Sequence, residues 1–347
     1  MKLIIQIPCL NEAQTLHIAL ADLPKQIPGI DTIEVLVIDD GSRDDTVAVA
    51  RKHGVHHVVG FRQNQGLARA FMLGLESCLE RGADIIVNTD ADNQYNGADI
   101  EKLVRPILDG HADFVIGARP IDTIEHFSPI KKFLQRLGSS IVRGVSGTDV
   151  ADAPSGFRAV SRDVALMLNV FNSYTYTLET IIQAGQRNMT VVSVPIRVNG
   201  DLRPSRLVRS IPNYIKRSIV TMFRIFIVYQ PLKFFLTVSL FPLGLGLVIG
   251  GRFLWYFFAG NGNGHVQSVI FAAVLLIVGF LTSLLAVLGD LLSVNRRLLE
   301  ELQQRERRRR IDASAGASEG HPVTGTGPRT TSVFPEPPER RAVSTSS

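Results

Sequence analysis

Between Val266 and Gly289 the chain runs for 24 residues without a charged side chain, and Phe234 to Gly251 gives another 18. At 1.5 Å per helical residue the longer run crosses a hydrocarbon core of about 30 Å, and the shorter one does so by continuing through Phe258. Two spans, about 232–258 and 266–290, make a transmembrane hairpin over 232–291. The connecting Gly260 to His265 carries no Lys or Arg. Both outer flanks are basic: Arg197 to Lys233 holds eight Lys/Arg against one acid, and Arg296 to Arg310 holds seven Arg against three Glu. The positive-inside rule therefore expects an integral membrane protein with the loop outside and both ends in the cytoplasm. Arg252, near the outer end of its span, snorkels to the interface in that arrangement. Charge gathered in two stretches is not the even basic coat of a nucleic-acid binder.

Residues 208–231 mix Ile, Tyr, Met and Phe with Lys216, Arg217 and Arg224. That is the composition of an amphipathic helix lying in the headgroup layer. After the second span, 292–311 reads as a charged juxtamembrane helix. The tail, 312–347, is rich in Ser, Thr, Pro and Gly with Phe334 its one aromatic, so it cannot bury a core and is expected to be disordered.

Residues 1–207 have a different texture. Short β-rich runs alternate with helical periodicity, the pattern of a parallel sheet with crossover helices, hence an α/β fold. Strands are expected at Lys2–Ile7, Ile33–Ile38, His56–Val59, Ile85–Thr89, Phe114–Gly117 and Val191–Ile196. Helices are expected at Thr46–Lys52, Leu67–Glu80 and Ile100–Leu108, with Gly54, Gly82 and Gly110 as their stops and Asp45 as the cap of the first. Two cysteines, Cys9 and Cys78, are too few for a disulfide framework and lack zinc spacing. His53, His56 and His57 read as solvated turn residues.

In open parallel sheets, ligands bind outside the carboxyl ends of the strands, and the polar clusters fall there. Asn11 and Glu12 follow the first strand, Asp39-Asp40-Gly41-Ser42 the second, and Asp90-Ala91-Asp92-Asn93-Gln94 the fourth. Asp90 and Asp92, two residues apart, present hard oxygen ligands on one side, with Gln94 a third, a set suited to Mg²⁺ or Mn²⁺. There is no GxxxxGK[ST] loop, so a nucleotide diphosphate here would need that cation.

Seven segments, in this order and at these spacings, resemble glycosyltransferase family 2: Ile7-Pro-Cys-Leu-Asn-Glu12, Val37-Ile-Asp-Asp-Gly-Ser42, Asn64-Gln-Gly-Leu-Ala-Arg-Ala70, Asp90-Ala-Asp-Asn-Gln94, Gly117-Ala-Arg119, Ser155-Gly-Phe-Arg158 and Val194-Pro-Ile196. Within that family the resemblance is to the dolichol- and polyprenyl-phosphate sugar synthases. It covers about Leu3 to Leu207 and implies a GT-A (Rossmann-like) fold, a mixed, mainly parallel sheet. It also implies that Pro8, Asn11, Glu12, Asp39 and Asp40 line the nucleotide-sugar pocket with Gln65 and Gly66 beside it. Asp90, Asp92 and Gln94 would hold the metal, with Ala91 between them against the donor. Arg119 and Arg158 would act in catalysis, Arg119 and Lys132 on the acceptor phosphate, and Arg203, Ser205 and Arg206 on the donor. Two departures stand out. Gln135 replaces a common serine, and Arg206 a lysine, which keeps the charge but changes the geometry of a phosphate contact.

The implied activity is transfer of one sugar from a GDP- or UDP-sugar to a polyprenyl or dolichyl phosphate at the cytoplasmic membrane face, inverting and metal-dependent. A flippase or a downstream glycosyltransferase would then take the product. The alternatives are action on another glycan or lipid acceptor, and a catalytically silent, membrane-tethered nucleotide-sugar binder. A processive synthase would carry a Gln-x-x-Arg-Trp motif, but the only tryptophan, Trp255, lies inside a span.

Overall fold

The run Lys2–Cys9, apolar but for Lys2 and Gln6, forms β1 at the middle of a sheet in which both faces are covered. The computed structural model describes residues 1–120, 129–170, 176–200, 220–221, 223–260 and 266–319, of which 129–135, 312 and 314–319 as backbone alone. The chain divides into two units. The first comprises Met1–Phe127, Thr148–Pro204 and Arg308–Ser347, and the second Ser128–Gly147 with Ser205–Arg307. The expected single domain over 1–207 is thus interrupted: residues 128–147 go with the apolar helices.

In the first unit, β2 (Thr32–Asp39), β3 (His57–Gly60), β4 (Ile85–Asn88), β5 (Phe114–Ala118), β6 (Arg158–Ser161) and β7 (Val191–Pro195) join β1 in the order β3-β2-β1-β4-β6-β5-β7. All pairings are parallel except those of β6, which runs antiparallel to β4 and β5. Six strands were legible in the sequence; β6 was not, because it is only Arg158-Ala-Val-Ser161 and starts on a charge.

Side chains alternate across β1 with the strand period of two. Leu3, Ile5, Ile7 and Cys9 join one core with Val37, Val87, Leu103 and Phe157. Ile4 and Gln6 point the other way, where α3 (Leu67–Glu80) brings Phe71, Gly74 and Leu75. The remaining helices are α1 (Leu16–Ala21), α2 (Thr46–Lys52), α4 (Ile100–Leu108), α6 (Arg162–Met167) and α7 (Thr177–Gln186). The helices α2, α3 and α4 have the bounds expected of them. The cap of α2 does not: Asp45 makes no side-chain cap, and Asp44 accepts instead from the Thr46 amide at 3.1 Å and from the Thr46 hydroxyl. Nor is the histidine turn merely solvated. His57 lies 2.8 Å from Glu34, and His56 accepts from the Val35 amide at 3.1 Å.

The second unit holds α5 (Pro129–Ser146), helical residues 220–221 and 223–229, α8 (Pro231–Phe258) and, as far as Arg307, α9 (Val266–Glu319). Both α8 and α9 are long and apolar enough to cross a membrane, and only 11% and 17% of their most apolar windows is buried. A soluble core helix would bury that surface. Glycines set their packing: a Cβ on Gly246 would meet the Leu276 side chain at 3.0 Å, and one on Gly279 the Leu243 backbone nitrogen at 3.0 Å. The helix α9 continues unbroken through 292–311 to Glu319, eight residues past the expected boundary at 311. Residues 208–219 and 320–347 lie outside the described residues.

Candidate functional site

The chain winds from β1 through β2 to β3 on one side, then returns to place β4 on the other side of β1. The switch point therefore lies between β1 and β4, and a crevice opens outside their carboxyl ends. Asp39 is the last residue of β2, paired with Cys9, while Asp90 follows β4 by two residues.

The three turns on the β1–β2–β3 side are fastened to one another. Asn11, at φ +54°, donates its amide to Ser42 Oγ at 2.9 Å and accepts at Oδ1 from the Arg43 amide at 2.7 Å. The Glu12 amide donates to Thr46 Oγ1 at 2.8 Å, and Glu12 Oε2 accepts from Thr15 at 2.9 Å. Asp39 Oδ1 accepts from the Ser42 amide at 3.0 Å. Asp40 holds the third turn: its two oxygens accept the amides of Gln65 and Gly66 at 2.7 and 2.9 Å. Burial pushes the Asp40 carboxyl up despite those two amides, with Asp39 adding to the rise. Gly66 sits at φ +94°, which favours glycine, and it leads directly into α3. Pro8, Asn11, Glu12, Asp39, Asp40, Gln65 and Gly66 are thus brought to one edge.

On the β4 side, Asp92 Oδ1 accepts the Gln94 amide at 3.2 Å, closing a tight turn through Asn93 at φ +56°. Ala91 is buried within that turn. Burial and then the neighbouring Asp92 charge push the Asp90 carboxyl up to about 7, against the opposing Arg119 and Arg158 charges. Among the described residues, no donor reaches the Asp90 oxygens. An underbonded carboxylate beside a second carboxylate suits a hard divalent cation. The described residues hold no group of three or more His, Cys, Asp and Glu around one point, so such a cation would take its remaining ligands from phosphate and water.

Asn199 straps the turn from outside. Its amide donates to the Gln94 carbonyl at 2.8 Å, and its side chain to the Asn93 carbonyl at 3.1 Å. Just before it, Arg197 grips Asp99, which is fully buried, with Nη2 2.8 Å from Oδ1 and the amide 2.6 Å from Oδ2. Burial raises the Asp99 carboxyl, but Arg197 and Lys102 outweigh it and bring it down to about 2. A carboxylate held below its unfolded value of 3.8 stabilises the fold above that pH and stops doing so as pH falls through about 2. Asp99→Asn is expected to cost about 2 kcal/mol at neutral pH and to flatten stability between pH 4 and 2, as read by urea melts across that range.

Of the two arginines, Arg158 is placed differently from the expectation of direct contact. Arg158 is 1% exposed. Its guanidinium donates to Thr177 O at 3.1 Å, Thr180 Oγ1 at 2.7 Å and the Ser155 carbonyl, and lies 5.2 Å from the Tyr176 ring centre. It holds the Ser155–Arg158 turn from within, since a short strand that starts on arginine must satisfy that charge internally. Arg119 forms a two-pronged pair with Asp152, Nε to Oδ2 at 2.7 Å and Nη2 to Oδ1 at 3.0 Å. Asp152 was not singled out from the sequence, nor were Asn88, Gly156 and Tyr176, which lie against the Asp90 side of the site. Asn88 alone had a signal, as a polar residue closing the apolar strand β4. The side chain of Lys132, and Arg203, Ser205 and Arg206, lie outside the described residues.

A family model described as Glycosyl transferase family 2 matches residues 4–166. An uncharacterized protein of Methanocaldococcus jannaschii is 31% identical over 204 residues, covering 56% of this chain and 81% of that one. The UDP-N-acetylglucosamine–dolichyl-phosphate N-acetylglucosaminyltransferase of Methanococcus voltae is 29% identical, covering 47% and 73%. The undecaprenyl-phosphate mannosyltransferase of Micrococcus luteus is also 29% identical, covering 56% and 83%. The fold matches glucosyl-3-phosphoglycerate synthase from Mycobacterium tuberculosis, solved with Mn²⁺, UDP and phosphoglyceric acid, at TM-score 0.51 and 20% identity over 64% of this chain and 78% of that one.

Proposed function

The chain belongs to glycosyl transferase family 2, and from that premise we propose that it moves a single sugar from a GDP- or UDP-sugar onto a polyprenyl or dolichyl phosphate, with inversion, at the cytoplasmic face of a membrane. The observation that carries the donor half is the Asp90–Asp92 pair at the switch point, opposite three fastened turns. The acceptor half is supported by relatives named for dolichyl and undecaprenyl phosphate and by the two apolar helices.

Asp90 and Asp92, with Gln94, are the residues that would hold Mg²⁺ or Mn²⁺. The cation would supply positive charge against the departing nucleoside diphosphate. The chain's own residues do the rest. Asp39, Asn11 and the amides around Gly66 orient the nucleotide, since Asp40 fixes that turn before any ligand arrives. A phosphate monoester with a second pKa near 6 is already an anion at pH 7, so it needs placing more than it needs a strong base. Arg119, immobilised by Asp152, offers fixed positive charge for that placement. Lys132 is assigned to the same acceptor phosphate. Arg203, Ser205 and Arg206 are assigned to the donor diphosphate, on a stretch that starts four residues after Asn199 straps the metal turn.

The test is a donor panel on purified protein in detergent with polyprenyl phosphate, Mg²⁺ or Mn²⁺, and separate UDP- and GDP-sugars, the organic extract being read by mass spectrometry. One sugar-phosphate lipid from one donor is expected. Nucleotide released only alongside a water-soluble product would move the acceptor to a diffusible glycan, and binding without turnover would make the protein a silent nucleotide-sugar binder.

A further inference from the structure

We propose that Tyr176 is a positioning residue for Asp90, its hydroxyl donating to the carboxylate when a divalent cation is bound there. The proposal rests on the cation reading above. Asn88 prepares the hydroxyl. Its amide nitrogen donates to the Tyr176 oxygen at 2.9 Å and to the Gly156 carbonyl at 2.9 Å, while its own carbonyl accepts from Gln6 at 2.9 Å. With the donor and acceptor roles of Asn88 both fixed, the Tyr176 oxygen is an acceptor on that side, and its hydrogen must point elsewhere.

Among the described residues nothing accepts that hydrogen, and nothing donates to Asp90. The two groups meet across Gly156. A Cβ built there would lie 3.2 Å from the Tyr176 oxygen and 3.2 Å from each Asp90 oxygen. A side chain there would crowd both groups, and glycine leaves the gap open. Gly156 is itself pinned, its amide donating to the Tyr95 hydroxyl at 3.1 Å. The Tyr176 ring has no freedom to leave: it is 1% exposed, stacked on Phe71 at 3.9 Å, and flanked by the Arg158 guanidinium. Partners that orient a ligating carboxylate in this way are worth about 10–100-fold in metal affinity.

The test compares wild type, Tyr176→Phe and Asp90→Asn in the full-length protein. The free-ion electron paramagnetic resonance signal reports Mn²⁺ binding, alone and with UDP or GDP. Tyr176→Phe keeps the stacked ring and is expected to weaken Mn²⁺ about tenfold or more. It should leave metal-free nucleotide affinity unchanged, and its kcat should recover at saturating Mn²⁺, which a merely structural lesion would not allow. Mn²⁺ affinity within twofold of wild type, while Asp90→Asn abolishes binding, would overturn the role of Tyr176 and leave the cation site standing. If Asp90→Asn also binds normally, the cation reading itself falls. Should Tyr176→Phe fail to fold, Phe71→Leu takes its place: it keeps the hydroxyl but loosens the ring behind it. A loss of at least threefold in Mn²⁺ affinity is then expected, and an unchanged affinity refutes the proposal.

Discussion

Asp92→Ala is expected to reduce sugar transfer by about a thousandfold or more, the scale at which charge stabilisation in an active site operates. The protein should still fold and insert. Asp92 is half-buried at a turn beyond β4, and its bond to the Gln94 amide closes two residues of loop rather than a core contact. Removing it also takes away the like charge that helps hold the Asp90 carboxyl up. Asp90 should then ionise more readily yet remain a single carboxylate, too little to hold a divalent cation against water. Turnover measured over a range of Mg²⁺ and Mn²⁺ concentrations, with a thermal melt alongside, separates the two effects. Near-normal turnover in a well-folded variant would remove Asp92 from the metal site.

Gly41→Ala is expected to act through the backbone and to be strongly damaging at the opposite wall of the site. Gly41 adopts φ +76°, and a Cβ there would stand 2.6 Å from the Gln63 carbonyl carbon and 2.7 Å from the Asn64 nitrogen. Those neighbours are main chain and cannot rotate aside. Left-handed strain and overpacking together should cost about 2–4 kcal/mol, a fall in melting temperature of about 5–15 °C for a domain of this size. Nucleotide affinity should drop as well, because the displaced segment leads into Gln65 and Gly66. A melting temperature within 2 °C of wild type, which is less than about 1 kcal/mol on the same scale, would show that the turn is free to shift.

The sequence was most readable where one short-range rule governs a segment. The run Ile85-Ile-Val87 followed by Asp90 and Asp92 marked a buried strand with ligands at its end, and alternation with helical stretches marked the parallel sheet. It was least readable where long-range partners decide. Asp44 rather than Asp45 caps α2 because Asp44 also accepts from the Ala13 amide at 3.1 Å, a bond across 31 residues. Arg158 looked like a substrate arginine by motif, but its partners at Thr177 and Thr180 lie some twenty residues away and turn it inward. Gly156 gives no local sign of its function, since its lack of a side chain matters only against Asp90 and Tyr176. The division that groups 128–147 with the apolar helices was invisible for the same reason: it depends on tertiary neighbours, not on composition.

The fastening of the first three turns restricts how this half of the molecule could have diversified. Asn11 is bonded to Ser42 and Arg43, Glu12 to Thr46, and Asp40 to Gln65 and Gly66, so no one turn can be exchanged for a relative's without stranding partners in a neighbouring turn. Recombination that respects these bonds must transfer residues 8–66 as a block. A change of nucleotide preference is reached more readily by point substitution at side chains lining that block than by loop grafting.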